Sequence, residues 1–263
     1  MTRLFLQLGS IGDIINILPV CKHCADRGDT IYVLSSTDFG PHILDAVSYV
    51  KPIYIDIDMK RIYEVAVAFA VGTAEQMPAY DQLIVTQVHG NPYAATLRQP
   101  NFTLAQWALI DPNLVPLYSS LPLMIDRRDS ERERRLLDQH FHGNPAIAYN
   151  LTAKSVPFKH RDQFEPWLQS RFQSAGLISL DLRAERFVYT LAILERVKLL
   201  ITVDTATLHL GYACKVPTVC LTNDNPWLRA QRRDHWLSQH PYGQIDYDLI
   251  EKQIRQVLQE KKI

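Results

Sequence analysis

What this sequence has little of already narrows its class. It holds four cysteines in 263 residues, too few to suggest a disulfide scaffold, so we expect reduced thiols and a cytoplasmic location. Its longest apolar run, Val65–Val71, is far too short to span a bilayer, and no N-terminal secretion signal is recognisable. Acidic and basic residues balance at 28 each, so no overall field favours nucleic acid or an anionic membrane.

Short β-rich runs alternate with amphipathic helical runs along the rest of the chain. Apolar residues make up 47% of it, and several runs of Val, Ile and Leu show the little polar alternation that is typical of buried parallel strands. The predicted strands are Leu4–Leu8, Thr30–Leu34, Ile53–Ile57, Gln82–Thr86, Ala146–Tyr149, Leu177–Leu180, Leu199–Val203 and Thr218–Leu221. The predicted helices are Asp13–Ala25, Arg127–His140, Arg161–Phe172, Arg186–Arg196, Thr205–Cys214 and Asp246–Lys261. This alternation favours α/β layers with right-handed crossovers.

The middle of the chain breaks the alternation. The stretch from Asn91 to Pro122 holds five prolines, and no run within it has the pattern of a strand. The charged run Asp126–Arg135 follows, and its mixed signs predict a solvated helix face. We therefore expect a domain junction near Leu121–Met124.

A glycine turn follows the first predicted strand and leads into a helix. It reads Gly9-Ser10-Ile11-Gly12-Asp13, which is neither the G-x-G-x-x-G dinucleotide fingerprint nor a P-loop. Glycine lets the backbone turn sharply and lets a ligand approach closely, and the helix start offers free N–H groups. Asp13 has two interpretations: a helix cap, or a carboxylate facing a ligand at the carboxyl edge of a parallel sheet.

A second candidate segment begins where the strand Leu199–Val203 ends. Asp204 closes the strand, and small residues open the next helix. The backbone N–H groups of residues 205–207 would surround phosphate oxygens, and two threonine hydroxyls could add donors. The alternative is an N-capped helix with a buried histidine at His209.

Together the two segments resemble the ADP-heptose:lipopolysaccharide heptosyltransferase family, glycosyltransferase family 9. Its members open with a strand and a Gly-Ser-x-Gly-Asp turn leading to Leu-Pro, and they carry Asp-Ser/Thr-Gly-x-x-His near the C-terminus. A strand opening with proline and a proline-containing loop follow. The matching residues here are Gly9–Asp13, Leu18-Pro19, Asp204–His209, Pro217–Leu221 and Thr222–Trp227. Ala206 replaces the family's glycine, and the resemblance covers about 1–25 and 145–228.

The resemblance implies an α/β fold of two doubly wound Rossmann-like domains facing a cleft, the GT-B arrangement. Residues 1–123 would form the acceptor-side domain and 124–263 the nucleotide-sugar-binding domain, and in similar proteins the C-terminal helix packs back on the first domain. The implied reaction moves a sugar from a nucleoside-diphosphate sugar, ADP-heptose-like, to a saccharide or other hydroxyl acceptor. It would invert the anomeric carbon and need no metal and no cofactor, with Asp13 as general base.

The implied donor site draws on both segments and on the loop after the strand Ala146–Tyr149. That loop supplies hydroxyls and lysines suited to a diphosphate, with Lys159 the better family match and Lys154 the alternative. The acceptor side would include two residues after the fourth strand, His89 and Asn91. The predicted donor residues are Gly9, Ser10, Gly12, Thr152, Lys154, Lys159, Asp204, Thr205, Ala206, Thr207 and His209.

Other patterns are weaker. Asp56 and Asp58 fit the D-x-D of metal-dependent glycosyltransferases, a pattern common by chance. Cys21 and Cys24 form a C-x-x-C late in a helix, whereas redox motifs use the helix N-terminus, and a zinc site would need a second pair. Arginines at 229, 232 and 233 with Trp227 and Trp236 predict a surface helix, with nucleotide or nucleic-acid contact as the alternative.

Two further functions remain compatible with the sequence. One is a glycosyltransferase that modifies a hydroxylated base in DNA, which the short N-terminal half permits and the zero net charge disfavours. The other is a non-catalytic nucleotide or nucleotide-sugar binder. Asp13 distinguishes a glycosyltransferase from a binder, because a protein that only binds the donor has no need of a carboxylate facing the sugar.

Overall fold

A computed structural model describes residues 1–57, 77–88, 92–143, 145–153, 157–181 and 186–260. These residues form two α/β units, Met1–Arg127 and Arg128–Ile263. The division predicted from the sequence lay between residues 123 and 124.

The first unit contains a parallel four-stranded sheet in the order β3-β2-β1-β4. Leu4, Leu6, Leu8 and Leu34 are fully buried against it, because a parallel strand covered on both faces has no room for alternating polar residues. Because the chain leaves β1 towards β2 on one side and later adds β4 on the other, the strand order reverses between β1 and β4. The elements are β1 (Thr2–Leu6), α1 (Ile11–Asp26), β2 (Thr30–Ser36), β3 (Lys51–Ile55), β4 (Gln82–Val85), α2 (Pro92–Thr96) and α3 (Phe102–Ile110).

The second unit contains a parallel five-stranded sheet in the order β6-β5-β7-β8-β9. Here the strand order reverses between β5 and β7, whose residues are almost all buried. The elements are α4 (Ser130–His140), β5 (Ile147–Asn150), α5 (Arg161–Phe172), β6 (Leu177–Ser179), α6 (Leu191–Leu194), β7 (Leu199–Val203), α7 (Ala206–Ala213), β8 (Thr218–Thr222), β9 (Trp236–Pro241) and α8 (Tyr247–Glu260).

The C-terminal helix α8 buries one apolar face. Ile250, Ile254 and Val257 lie in the same core as Phe164 of α5 and strand β7. This spacing of four and three residues puts all three side chains on one side of a helix. The apolar face of α8 is therefore occupied within the second unit.

Two elements differ from the sequence expectation. The predicted surface helix around Arg229–Trp236 is wrong, because Trp236 begins strand β9 and is 2% exposed. The predicted helix Arg186–Arg196 is instead a 3₁₀ turn, Phe187–Thr190, followed by the short helix α6. Among the described residues, no helix is both long and apolar enough to cross a membrane.

Candidate functional site

The Gly9–Asp13 turn lies at the carboxyl end of β1, beside the point where the strand order of the first sheet reverses. Open α/β sheets bind ligands at such points. Ser10 is the N-cap of α1, so Asp13 is the third residue of that helix. A Cβ atom on Gly9 would lie 2.8 Å from Asp13 Oδ2 and 3.1 Å from Gln7 Nε2. A side chain at residue 9 would therefore have to displace the Asp13 carboxylate.

The Asp13 side chain is partly buried, and this burial changes the pKa of its carboxyl group. Loss of hydration raises the pKa of the Asp13 carboxyl from 3.8 to about 6, although the hydroxyl and the backbone N–H of Ser10 donate hydrogen bonds that lower it. The bond from the Ser10 N–H is the half of a capping box in which the third helical residue reaches back. Asp13 thus caps α1 and, with a pKa near 6, is also ionised at neutral pH and able to accept a proton.

Three buried glutamines and a buried threonine lie next to the turn and are linked by hydrogen bonds. Gln106 on α3 donates through Nε2 to Gln7 Oε1 at 2.8 Å and to the backbone oxygen of Asp13 at 2.9 Å. Thr86 donates from Oγ1 to Gln7 Oε1 at 2.6 Å, and Gln7 donates from Nε2 to Gln87 Oε1 at 3.3 Å. The sequence gives no signal for these residues, because isolated glutamines in apolar runs carry no motif.

In the second unit, Asn150 joins the ends of the two strands between which the order reverses. It closes β5 and is 7% exposed. Its Nδ2 donates to Thr207 Oγ1 at 2.6 Å, and its Oδ1 accepts from the backbone N–H of Thr152 at 2.9 Å. The loop after β5 and the start of α7, two of the segments predicted to bind the donor, are therefore adjacent. The buried Thr207 hydroxyl, however, is engaged with Asn150, so its bond ties α7 to β5.

The start of α7 leaves its first backbone N–H groups directed out of the helix. Thr205 is the N-cap, yet its side chain makes no capping hydrogen bond. Asp204, Thr205 and Ala206 are partly buried. Helix starts of this kind present donors and positive dipole character to anions.

His209 lies one turn further along α7 and is 7% exposed. Burial, with the Arg233 charge nearby, lowers the pKa of its imidazole to about 3. At neutral pH the side chain is therefore uncharged, and it could contact a donor only as a neutral imidazole.

The loop between β5 and α5 carries the charged side chains. Lys159 is exposed. Arg161, which the sequence analysis did not single out, begins α5 and donates from one Nη to Thr152 Oγ1 at 3.2 Å and from Nε to Glu165 at 2.9 Å. Thr152 in turn donates to Asp181 Oδ2 at 3.2 Å. Hydrogen bonds thus hold Thr152 in place, while Lys159 is exposed to solvent.

Several predicted residues lie outside the described part of the chain: Asp58, His89, Asn91 and Lys154. Asp56 is exposed. Across the described ranges, no three His, Cys, Asp or Glu side chains gather as metal ligands would. Cys21 and Cys24 are buried, and burial raises the pKa of both thiols, which makes them poor nucleophiles.

A scan against protein-family models finds none that matches this sequence, and a search among curated proteins finds no similar one.

Solved structures, in contrast, resemble the chain over its whole length. The glycosyl transferase family 9 structure from Veillonella parvula aligns at a TM-score of 0.65 and 14% identity, over 99% of this chain and 97% of that one. E. coli ADP-heptose LPS heptosyltransferase II aligns at 0.60 and 13%, over 100% of both chains. E. coli heptosyltransferase WaaC with ADP aligns at 0.57 and 15%, over 98% of this chain and 100% of that one. The chain therefore has the fold of family 9 glycosyltransferases, the family that the Gly9–Asp13 and Asp204–His209 segments resemble.

Proposed function

We propose that this protein is a glycosyltransferase that moves a sugar from a nucleoside-diphosphate sugar to an acceptor hydroxyl. The observation that carries the proposal is the Asp13 carboxyl group at the carboxyl end of β1, with a pKa of about 6. A helix cap alone needs no such environment, since a solvated carboxylate caps equally well. A general base is most effective when its pKa lies near the working pH.

The proposed mechanism is a single displacement. Asp13 takes the proton of the acceptor hydroxyl as that oxygen attacks the anomeric carbon. The bond from this carbon to the diphosphate breaks, and the diphosphate leaves with the bonding electrons. One displacement inverts the anomeric configuration.

The departing diphosphate needs stabilisation of its growing negative charge. We assign this to the backbone N–H groups of residues 205–207 and to Lys159, without a metal ion. Hydrogen bonds hold Asn150, Thr152 and Thr207 together at one end of the second sheet. This arrangement supports a preformed site of this kind. The structural neighbours that hold ADP or an ADP-heptose analogue favour an ADP-linked sugar as donor.

The proposal includes the GT-B arrangement, in which the two units face each other across a cleft. Gly9, Ser10 and Gly12 would then approach the donor from the first unit, and Thr152, Asp204, Thr205, Ala206 and His209 from the second. The acceptor would meet the donor from the first unit.

Asp13→Asn separates an enzyme from a binder. The amide keeps the shape of the carboxyl group but cannot accept a proton, so transfer should fall by about 10²–10⁴-fold, the typical contribution of a general base. ADP affinity, measured by calorimetry in EDTA, should stay within about threefold, because a base adds little to ground-state binding. The parent rate of ADP release from ADP-heptose should rise with pH and level off above about pH 6.

Three outcomes would contradict parts of this proposal. Transfer at the parent rate by Asp13→Asn would leave Asp13 as a helix cap only. ADP binding by the parent without any sugar transfer or donor hydrolysis would favour the non-catalytic binder. Loss of ADP binding in EDTA would overturn the metal-free phosphate site and return attention to Asp56 and Asp58.

A further inference from the structure

A cluster of uncharged polar side chains lies beneath the Gly9–Asp13 turn, and within it the Gln106 Oε1 atom is buried without a hydrogen-bond partner among the described residues. Gln7, Thr86, Gln87 and Gln106 are each at most 5% exposed. They come from the ends of β1 and β4 and from the middle of α3, and hydrogen bonds connect all four. Burying four polar side chains is costly unless each is paired, and an apolar core of the same volume would be stable without them.

Two members of the cluster and the Asp13 carboxylate lie near the same point, beside Gly9. Asp13 Oδ2, Gln7 Nε2 and Gln87 Oε1 all lie within 3.1 Å of the point where a Cβ of Gly9 would be. The two amides and the carboxylate therefore border the space beside the Gly9 Cα atom. Burial raises the pKa of the Asp13 carboxyl, and no charged side chain contributes to that shift.

Gln106 is the member that contacts the residue itself. Its Nε2 carries two hydrogens, and these reach two acceptors, Gln7 Oε1 at 2.8 Å and the Asp13 backbone oxygen at 2.9 Å. One side chain thus links the first turn of α1 to the end of β1, and through Thr86 to the end of β4. Because the groups are buried, loss of one of these bonds leaves a donor hydrogen or an acceptor lone pair unsatisfied.

We propose that Gln106 is a positioning residue for Asp13: its two hydrogen bonds, to Gln7 and to the Asp13 peptide, fix where the carboxylate of the first helical turn points. The inference rests on the proposed function, in which that carboxylate receives the proton of the acceptor. A base must be held close to its productive geometry, since a misplacement of about 1 Å can cost on the order of 10²-fold in rate.

Gln106→Met tests this proposal, since methionine has a similar length and no N–H donor. We expect kcat for ADP release from ADP-heptose to fall by about 10–100-fold, with KM and the calorimetric Kd for ADP within about threefold. A loosened turn hydrates the carboxylate, so the pKa of Asp13, followed by ¹³C NMR of the carboxyl carbons, should fall from about 6 towards 3.8. The Asp13→Asn spectrum assigns the signal.

Trp107→Phe is the matched control. Its indole Nε1 donates to the backbone oxygen of Asn16 at 2.8 Å, so it also links α3 to α1 through one buried hydrogen bond. The variant should lose comparable stability in urea unfolding but keep kcat and the Asp13 pKa. Gln106→Glu keeps the volume and, while neutral in its buried place, one donor, so its kcat should lie between parent and Gln106→Met.

The possible results distinguish failure of the positioning role of Gln106 from failure of the proposed glycosyltransferase function. Equal losses of kcat in Gln106→Met and Trp107→Phe, or an unchanged Asp13 pKa in Gln106→Met, would make Gln106 a structural residue only. If Gln106→Met does not fold, a parent-like kcat and Asp13 pKa in Gln106→Glu would overturn the proposal equally well. A parent protein that neither transfers nor hydrolyses sugar would refute the proposed function, and the NMR comparison would still decide the positioning role.

Discussion

Asp13 shows how two structural roles can share one carboxyl group. The bond from the Ser10 N–H satisfies a helix-start donor, and loss of hydration raises the pKa to about 6 in spite of that bond. The sequence alone left the cap and the ligand-facing carboxylate as alternatives, because both place an aspartate at the start of a helix. Neighbours far along the chain, at residues 87 and 106, form the surroundings that the local motif does not contain.

The raised pKa predicts how stability depends on pH. A carboxyl group whose pKa is higher in the folded than in the unfolded state stabilises the fold while protonated, and this contribution disappears as pH rises through the folded-state pKa. The free energy of unfolding of the parent, relative to Asp13→Asn, should therefore fall between pH 4 and pH 7. Partial exposure reduces the effect to about 2 kcal/mol.

Urea unfolding of both proteins at several pH values between 4 and 7.5 measures this difference. Taking the difference removes the other titrating groups, which the two proteins share. A constant difference across the range would mean that the Asp13 carboxyl is hydrated in solution and titrates as an ordinary aspartate.

At the scale of elements, the sequence predicted the strands of both sheets where apolar runs are continuous, as in β7 and β8. It did not predict α3, because Phe102–Ile110 is buried nearly all round and has no polar face to reveal a helical period. It missed β9 because inward positions there carry Ser238 and His240, which are buried through polar contacts. Local pattern thus predicts strands that are continuously apolar and helices that bury only one face.

The residues of the candidate site likewise include some that local sequence predicts and some that it does not. The segments Gly9–Asp13 and Asp204–His209 were predictable because glycine turns and small residues at helix starts have local reasons. The adjacency of Asn150 and Thr207 was not, because the strand order β6-β5-β7 is a property of the whole sheet. Arg161 was missed because an arginine at a helix start has no signature until its partners are known.

Two cationic side chains, Lys159 in the loop after β5 and Arg161 at the start of α5, are predicted to differ in their contribution to ADP binding. Lys159→Ala should weaken ADP binding by about 1.5–3 kcal/mol, the value of a hydrogen bond to a charged group, or about 10–100-fold in Kd. Arg161→Ala should weaken it less, because Glu165 and Asp181 already compensate the Arg161 charge. Calorimetry with ADP in EDTA measures both variants.

Arg171→Ala is the control for loss of one positive charge, since Arg171 lies at the far end of α5, where its partner is Glu251. Its Kd should equal that of the parent. A larger effect from Arg161→Ala than from Lys159→Ala would transfer the phosphate contact to Arg161, and no effect from either would remove this loop from the donor site.

At the scale of the whole molecule, the chain is held on both sides of the link between the units. The backbone N–H of Arg127 donates to Ala46 in the first unit at 2.9 Å. Arg128 pairs through two nitrogens with Glu133, at 2.7 Å each, and also with Glu195 in the second. The charged run predicted as a solvated helix face therefore includes an anchoring ion pair, with Glu133 only 8% exposed.

The proposed donor site draws on both units, and hydrogen exchange in the presence of ADP tests this. We expect slower exchange in two segments far apart in sequence, residues 203–210 and residues 9–13. In the first, the N–H groups at the start of α7 would bind phosphate oxygens. In the second, the Gly9–Gly12 turn would approach the same diphosphate. The measurement uses saturating ADP in EDTA, and the unliganded protein gives the reference rates.

Adenosine provides the control, because it carries the base and ribose without phosphates and should leave both segments unchanged. Protection confined to residues 150–210 would remove Gly9, Ser10 and Gly12 from the donor site and leave that turn to the acceptor alone. Absence of protection at 203–210 would refute the phosphate site at α7 itself. Slower exchange in both segments would instead mean that residues of both units contact or respond to the same diphosphate. The proposed transfer between a donor and an acceptor held by two domains requires this result.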